Sequence, residues 1–93
     1  MFNLKAKKPQ TIEAFLLSKN YIIHDVINDG KTTVYNKNMQ TVMVTFDKEK
    51  EGVNPGNILF DVNGKELFKM GFIPSVTIFE ILLKNSLRAN EIT

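Results

Sequence analysis

The apolar positions along this chain change their period several times. In TIEAFLLSKN, Ile12, Phe15 and Leu16 recur at helical spacing and Leu17 widens the stripe, which predicts a short helix over residues 11–19. Thr11 can cap its start, and Asn20 sits where the chain should leave it. Residues 21–28 (YIIHDVIN) are rich in β-branched side chains and read as a strand. Asp29-Gly30 follows, a pair suited to a type I′ hairpin turn, whose two central residues need positive φ. Residues 31–35 are then the partner strand, and Asn36, Lys37 and Asn38 the next turn.

Residues 39–47 (MQTVMVTFD) alternate: Val42, Val44 and Phe46 point one way, Thr41, Met43 and Thr45 the other. Residues 48–57 (KEKEGVNPGN) carry mixed charge, two glycines and a proline, and read as a loop. Strands over 58–62 and 65–70 flank Asn63-Gly64, a second two-residue hairpin signal. A two-residue turn there places Phe60 opposite Leu67 and Leu59 opposite Phe68, so both faces of this hairpin carry apolar groups. Ser75 can cap a last helix over 76–88, which is apolar around more than half its circumference, and Thr77 with Glu80 has capping-box spacing.

The order α-β-β-β-β-β-α predicts an α+β domain: a single antiparallel sheet of about five strands, with an N-terminal and a C-terminal helix packed on one face. The 93 residues make one domain, with 1–10 as a basic arm and 89–93 as a frayed tail. Such a chain can build one core but not a core and a deep enzyme cleft, unless subunits share the cleft.

Composition narrows the chemistry. The chain has no cysteine, so disulfides, thiolate zinc sites, iron–sulfur clusters and cysteine nucleophiles are excluded. The same absence points to a reducing, cytoplasmic location. The segment after Met1 carries Lys5, Lys7 and Lys8 and is then broken by Glu13, Ser18 and Lys19, which predicts neither a signal peptide nor a membrane span. Net charge is +2, and among the basic residues only Arg88 is an arginine. The abundance of Lys, Asn and Ile suits an AT-rich genome, such as that of a low-GC bacterium or its phage or plasmid.

No catalytic constellation emerges. His24 is the only histidine and on a regular strand would point with Ile22 and Val26, opposite Tyr35. It is the one candidate general base, as in a small nuclease, but no arginine stands near it in sequence to stabilise a phosphorane; a structural or exposed histidine is the preferred reading. Asp61 opposite Glu66 could attract a divalent cation, yet the spacing of a calcium loop is absent, and a solvated pair explains it better. The serines lack a Gly-x-Ser-x-Gly context and the glycines form no phosphate-binding loop, so no metal or cofactor is expected.

Two binding readings remain. The apolar supply is large for two short helices and five strands, which suggests a non-catalytic protein-binding module, a homodimer or a phage- or plasmid-encoded inhibitor acting on a host protein. Leu59, Phe68, Met70, Phe79 and Leu83 are its candidate contacts. Alternatively, Lys5, Lys7 and Lys8 in the arm, with Lys31, Lys37, Lys65 and Lys69 along a sheet edge, could bind nucleic acid while Tyr21, Tyr35 and Phe46 stack on bases.

Overall fold

The computed structural model describes residues 9–90. They form α1 (Ile12–Ser18), β1 (Ile22–Ile27), β2 (Thr32–Lys37), β3 (Gln40–Phe46), β4 (Pro55–Val62), β5 (Lys65–Phe72) and α2 (Val76–Ala89). The strands make one five-stranded antiparallel sheet in the order β1-β2-β3-β4-β5, so every strand pairs with its sequence neighbours. The α+β architecture expected from the hydrophobic pattern is therefore the architecture observed.

Local chemistry explains the ends of each element. Thr11 accepts a hydrogen bond from the Ala14 N–H at 3.1 Å and starts α1. Lys19 caps the other end, and Asn20 then turns the chain with φ 72°. Ser75 accepts from the Ile78 N–H at 3.3 Å and starts α2. Glu80 does not complete a capping box; it pairs with Lys84 at 3.1 Å on the helix surface. Ala89 closes α2 and Asn90 caps it, so the helix runs one residue beyond the expected limit. The rest of the expected tail, and Lys5, Lys7 and Lys8 of the expected arm, lie outside the described residues.

Both glycine pairs turn the chain as the sequence predicts, but at β1–β2 Asn28 also takes positive φ (54°), so β1 stops at Ile27 and β2 starts at Thr32. Asp29 and Gly30 take φ 56° and 85°, and Asn63 and Gly64 take 55° and 82°. The β2–β3 turn differs: it is made by Asn38, at φ 54°, and the exposed Met39, while Asn36 and Lys37 remain in the ladder opposite Thr41 and Gln40. β4 also starts earlier than expected, at Pro55, because Gly56 (φ 142°) lies so close to the β3 backbone that a Cβ there would sit 2.0 Å from the Thr45 carbonyl oxygen. A Pro-Gly pair that reads as loop chemistry is here the device by which a strand begins at close quarters.

The core lies on one face of the sheet. Tyr35, Val42, Val44, Ile58, Phe60 and Val62 meet Ile12, Phe15 and Leu16 of α1 and Phe79 and Leu83 of α2. The Phe15 and Phe79 rings join the helices edge to face, with centroids 5.9 Å apart. Across the ladder on the opposite face runs the row Asp25, Val34, Met43, Leu59 and Lys69, each opposite the next. Among the described residues no helix covers that face.

Two bulges correct the pairings expected from sequence. In β5, Phe60 lies opposite Phe68 and Leu59 opposite Lys69, because Leu67 is an extra residue between the pairs Asp61–Glu66 and Phe60–Phe68. Leu67 and Phe68 consequently both pack against the core, and the hairpin is not apolar on both faces in the manner expected. In β1, Ile23 lies opposite Tyr35 and Asp25 opposite Val34, with His24 as the extra residue. His24 is thus not opposite Tyr35.

Candidate interaction surface

The bulge at His24 decides which way β1 points its side chains. Residues opposed across an antiparallel ladder share a face. Ile22, Asp25 and Ile27, opposite Asn36, Val34 and Thr32, are therefore on the open face, and Ile23 and Val26, opposite Tyr35 and Thr33, are on the helix side. The helices stop short of this strand: Ile22, Ile23 and Val26 are 65%, 53% and 52% exposed. Among the described residues β1 is also an edge of the sheet. It carries no lysine or proline, the residues that most often blunt an edge. Its protection consists of the bulge and of Asp25, whose carboxylate accepts the Val26 N–H at 2.8 Å.

The five residues expected to contact a partner lie elsewhere. Phe79 and Leu83 are buried in the core. Phe68 and Met70 pack against it, with the Phe68 ring centroid 5.4 Å from Phe60 and 6.0 Å from Phe79. These four supply the sheet–helix junction and not a free surface. Leu59 alone of the five faces away from the helices, half-buried between Met43 and Lys69 in the open-face row. The β1 surface was legible in the run Ile22, Ile23, Val26, Ile27, which is apolar at both parities on a strand next to a terminal helix, a pattern that suits either a central strand or an exposed edge.

The lysines do not form one stripe along an edge. Lys31 follows the β1–β2 turn, while Lys37 ends β2 at the other end of the sheet, where Lys65 also begins β5. Lys69 lies opposite Leu59 on the open face. Lys37 keeps different company from that expected: its Nζ stands 5.4 Å from the Tyr21 ring centroid, and with Lys19 and Lys84 it rims a cleft of about 260 Å³ floored by Phe15, Leu83 and Leu87. Tyr21 and Tyr35 are buried, so neither offers a face to a base. The Tyr21 hydroxyl donates to Gln40 Oε1. Burial pushes both phenols up to about 12, helped at Tyr35 by the Glu13 carboxylate and opposed by a hydrogen bond with Thr33.

Groups that could do chemistry remain scattered. His24 is exposed on β1 at one edge of the sheet; Arg88 is in the last turn of α2, whose Phe79 packs on Phe68 of the opposite edge strand. A cleft of about 460 Å³ at the helix N-termini is lined by Thr11, Glu13, Asn54, Ser75 and Thr77 among others, and its lining has one carboxylate and no histidine. Among the described residues no three His, Cys, Asp or Glu side chains converge to hold a metal ion. No helix among them is long and apolar enough to cross a membrane. No family model, curated protein or solved structure matches the chain.

Proposed function

We propose that this protein is a non-catalytic binding module that acts by strand addition at the free edge of β1. The observation that carries this reading is the exposure of Ile22, Ile23 and Val26 on an edge strand that neither lysine nor proline blunts. An incoming extended segment would find main-chain groups for affinity and apolar side chains on both faces for specificity. Covering three half-exposed aliphatic side chains is favourable by several kcal/mol in gross terms, at roughly 25 cal/mol per Å² of apolar surface.

The test is photo-cross-linking in expressing cells, with a benzophenone amino acid placed at position 23 or 26 and, as a control, at the exposed position 77. Cross-linked species from the β1 positions and none from position 77 support the reading. Equal or absent cross-linking at all three positions overturns it.

A further inference from the structure

The edge of β1 is complementary to itself, and this identifies its occupant. We propose that two copies of this chain pair antiparallel through β1 about a two-fold axis perpendicular to the sheet, joining two five-stranded sheets into one. This rests on the strand-addition reading above and names the added strand.

The register follows from the positions of the side chains. A two-fold axis perpendicular to the sheet keeps each residue on its own face, so a residue can only meet one that shares its face. On a regular strand Ile22 and Ile27, five positions apart, would lie on opposite faces. The extra residue at His24 brings them to the same face, and it likewise puts Ile23 and Val26 together on the helix side. The pairing in which Ile22 meets Ile27 of the second copy therefore also sets Ile23 against Val26 of the second copy, on the correct face in both cases. At the centre it sets His24 against Asp25 of the second copy, twice by symmetry.

Neighbouring registers lose this match. A slip by one residue sets Asp25 against Asp25 of the second copy, or His24 against its own equivalent, and places helix-side residues against open-face ones. Two aspartates directly opposed are unfavourable, and in the first of these registers that penalty falls on the two-fold axis; the second loses the Asp25–His24 pairing. The bulge and the aspartate, which discourage strands in general, thus admit this one.

The Val26 amide shows how the edge would open. Its N–H now donates to Asp25 Oδ1. On pairing, the Val26 N–H passes to the main chain of the second copy at Ile23. The Asp25 carboxylate is released to accept from the His24 imidazole of the second copy. One hydrogen bond within the strand is exchanged for bonds between strands, and apolar surface leaves water on both faces.

The test is sedimentation velocity over a concentration series, on the wild-type chain, His24→Asp, Asp25→His and the double swap His24→Asp/Asp25→His. The wild type should approach twice its monomer mass as concentration rises. Each single substitution opposes like groups and should weaken the dimer at least tenfold. The double swap restores opposite partners and should recover most of the wild-type association. Circular dichroism checks that all four fold.

A wild-type chain that stays monomeric up to its solubility limit overturns the proposal, as does a dimer indifferent to the single substitutions or one the swap fails to rescue. A monomer whose position-23 probe cross-links to another protein overturns self-pairing and leaves the strand-addition reading standing. A cross-link within one chain, to residues 1–8, overturns both.

Discussion

Phe60 and Phe68 face each other across the β4–β5 ladder with ring centroids 5.4 Å apart, and they do so only because Leu67 is bulged out of the pairing. The bulge gives the core two consecutive side chains from β5 in place of one. Phe68 reaches Phe79 of α2 at 6.0 Å, and Phe79 reaches Phe15 of α1 at 5.9 Å. A chain of four aromatic rings therefore ties the last hairpin to both helices.

Phe68→Ala should cost about 3 kcal/mol, as for loss of a packed aromatic side chain, measured by urea unfolding. Leu59→Ala, on the open face of the same hairpin, should cost under about 1.5 kcal/mol. Similar costs at the two positions would mean that the register lacks the bulge.

The glycines give a sharper contrast. Gly56 and Gly64 both have positive φ, but a Cβ at Gly56 would collide with the β3 backbone, whereas one at Gly64 meets nothing within 4 Å. Gly64→Ala should cost about 1 kcal/mol for the left-handed conformation alone. Gly56→Ala should cost about 3 kcal/mol or more, since either β3 or β4 must move. Thermal melts of the two variants decide the matter; equal shifts would place Pro55 and Gly56 outside the ladder.

Thr32 is fully buried on the open-face side, where its hydroxyl accepts from Asn28 Nδ2 at 2.9 Å and shares a 2.8 Å hydrogen bond with Thr45. Thr32→Val keeps the shape and strands both partners, so it should cost about 1–2 kcal/mol. Adding Thr45→Val removes one of the stranded groups. The double variant should therefore be less destabilised than the sum of the two single changes, a coupling that a double-mutant cycle reads directly.

What the sequence made legible and what it hid have a common physical basis. Asp29-Gly30 and Asn63-Gly64 announce their turns because positive φ has a strong residue preference, and Thr11 and Ser75 announce helices because capping has one too. The bulges at His24 and Leu67 have no such residue signature: each is one extra residue in a run of ordinary strand formers, fixed by what the neighbouring strand and helices require. Because side chains alternate, one unseen extra residue inverts every facing assignment beyond it. For this reason Phe68 read as a partner contact and His24 as lying opposite Tyr35. The candidate surface was hidden for a different reason: the apolar run of β1 suits a central strand or an exposed edge alike, and which of the two it is depends on how far the helices reach across the sheet.

Alkaline pH should unfold the protein through its two buried tyrosines. Burial raises the folded-state values of Tyr21 and Tyr35 to about 12, against an ordinary value of 10 in the unfolded chain. The fold thus favours the neutral phenols. Their contribution is fully present below pH 10 and is lost as pH rises from 10 through about 12, with stability falling as the unfolded chain releases protons first. Tyrosinate absorbance near 295 nm should appear together with loss of the circular dichroism signal. Full ionisation of both tyrosines near pH 10 in a protein that is still folded would contradict their burial.

The last prediction separates binding from folding at β1. Ile23 and Val26 each expose about half their surface, so neither contributes a full core side chain's worth of burial. Replacing both with lysine puts charge where water already reaches and adds the residue most used to blunt an edge. Ile23→Lys/Val26→Lys should thus change unfolding free energy by less than about 1 kcal/mol, the range expected of surface substitutions away from packed sites. The same pair of changes should abolish concentration-dependent association. By contrast, Val42→Lys, at a position with no exposure on β3, should prevent folding. If the β1 pair unfolds the monomer, these side chains belong to the core and the edge is not a free surface. If it leaves both stability and association untouched, the edge is free and nothing binds there.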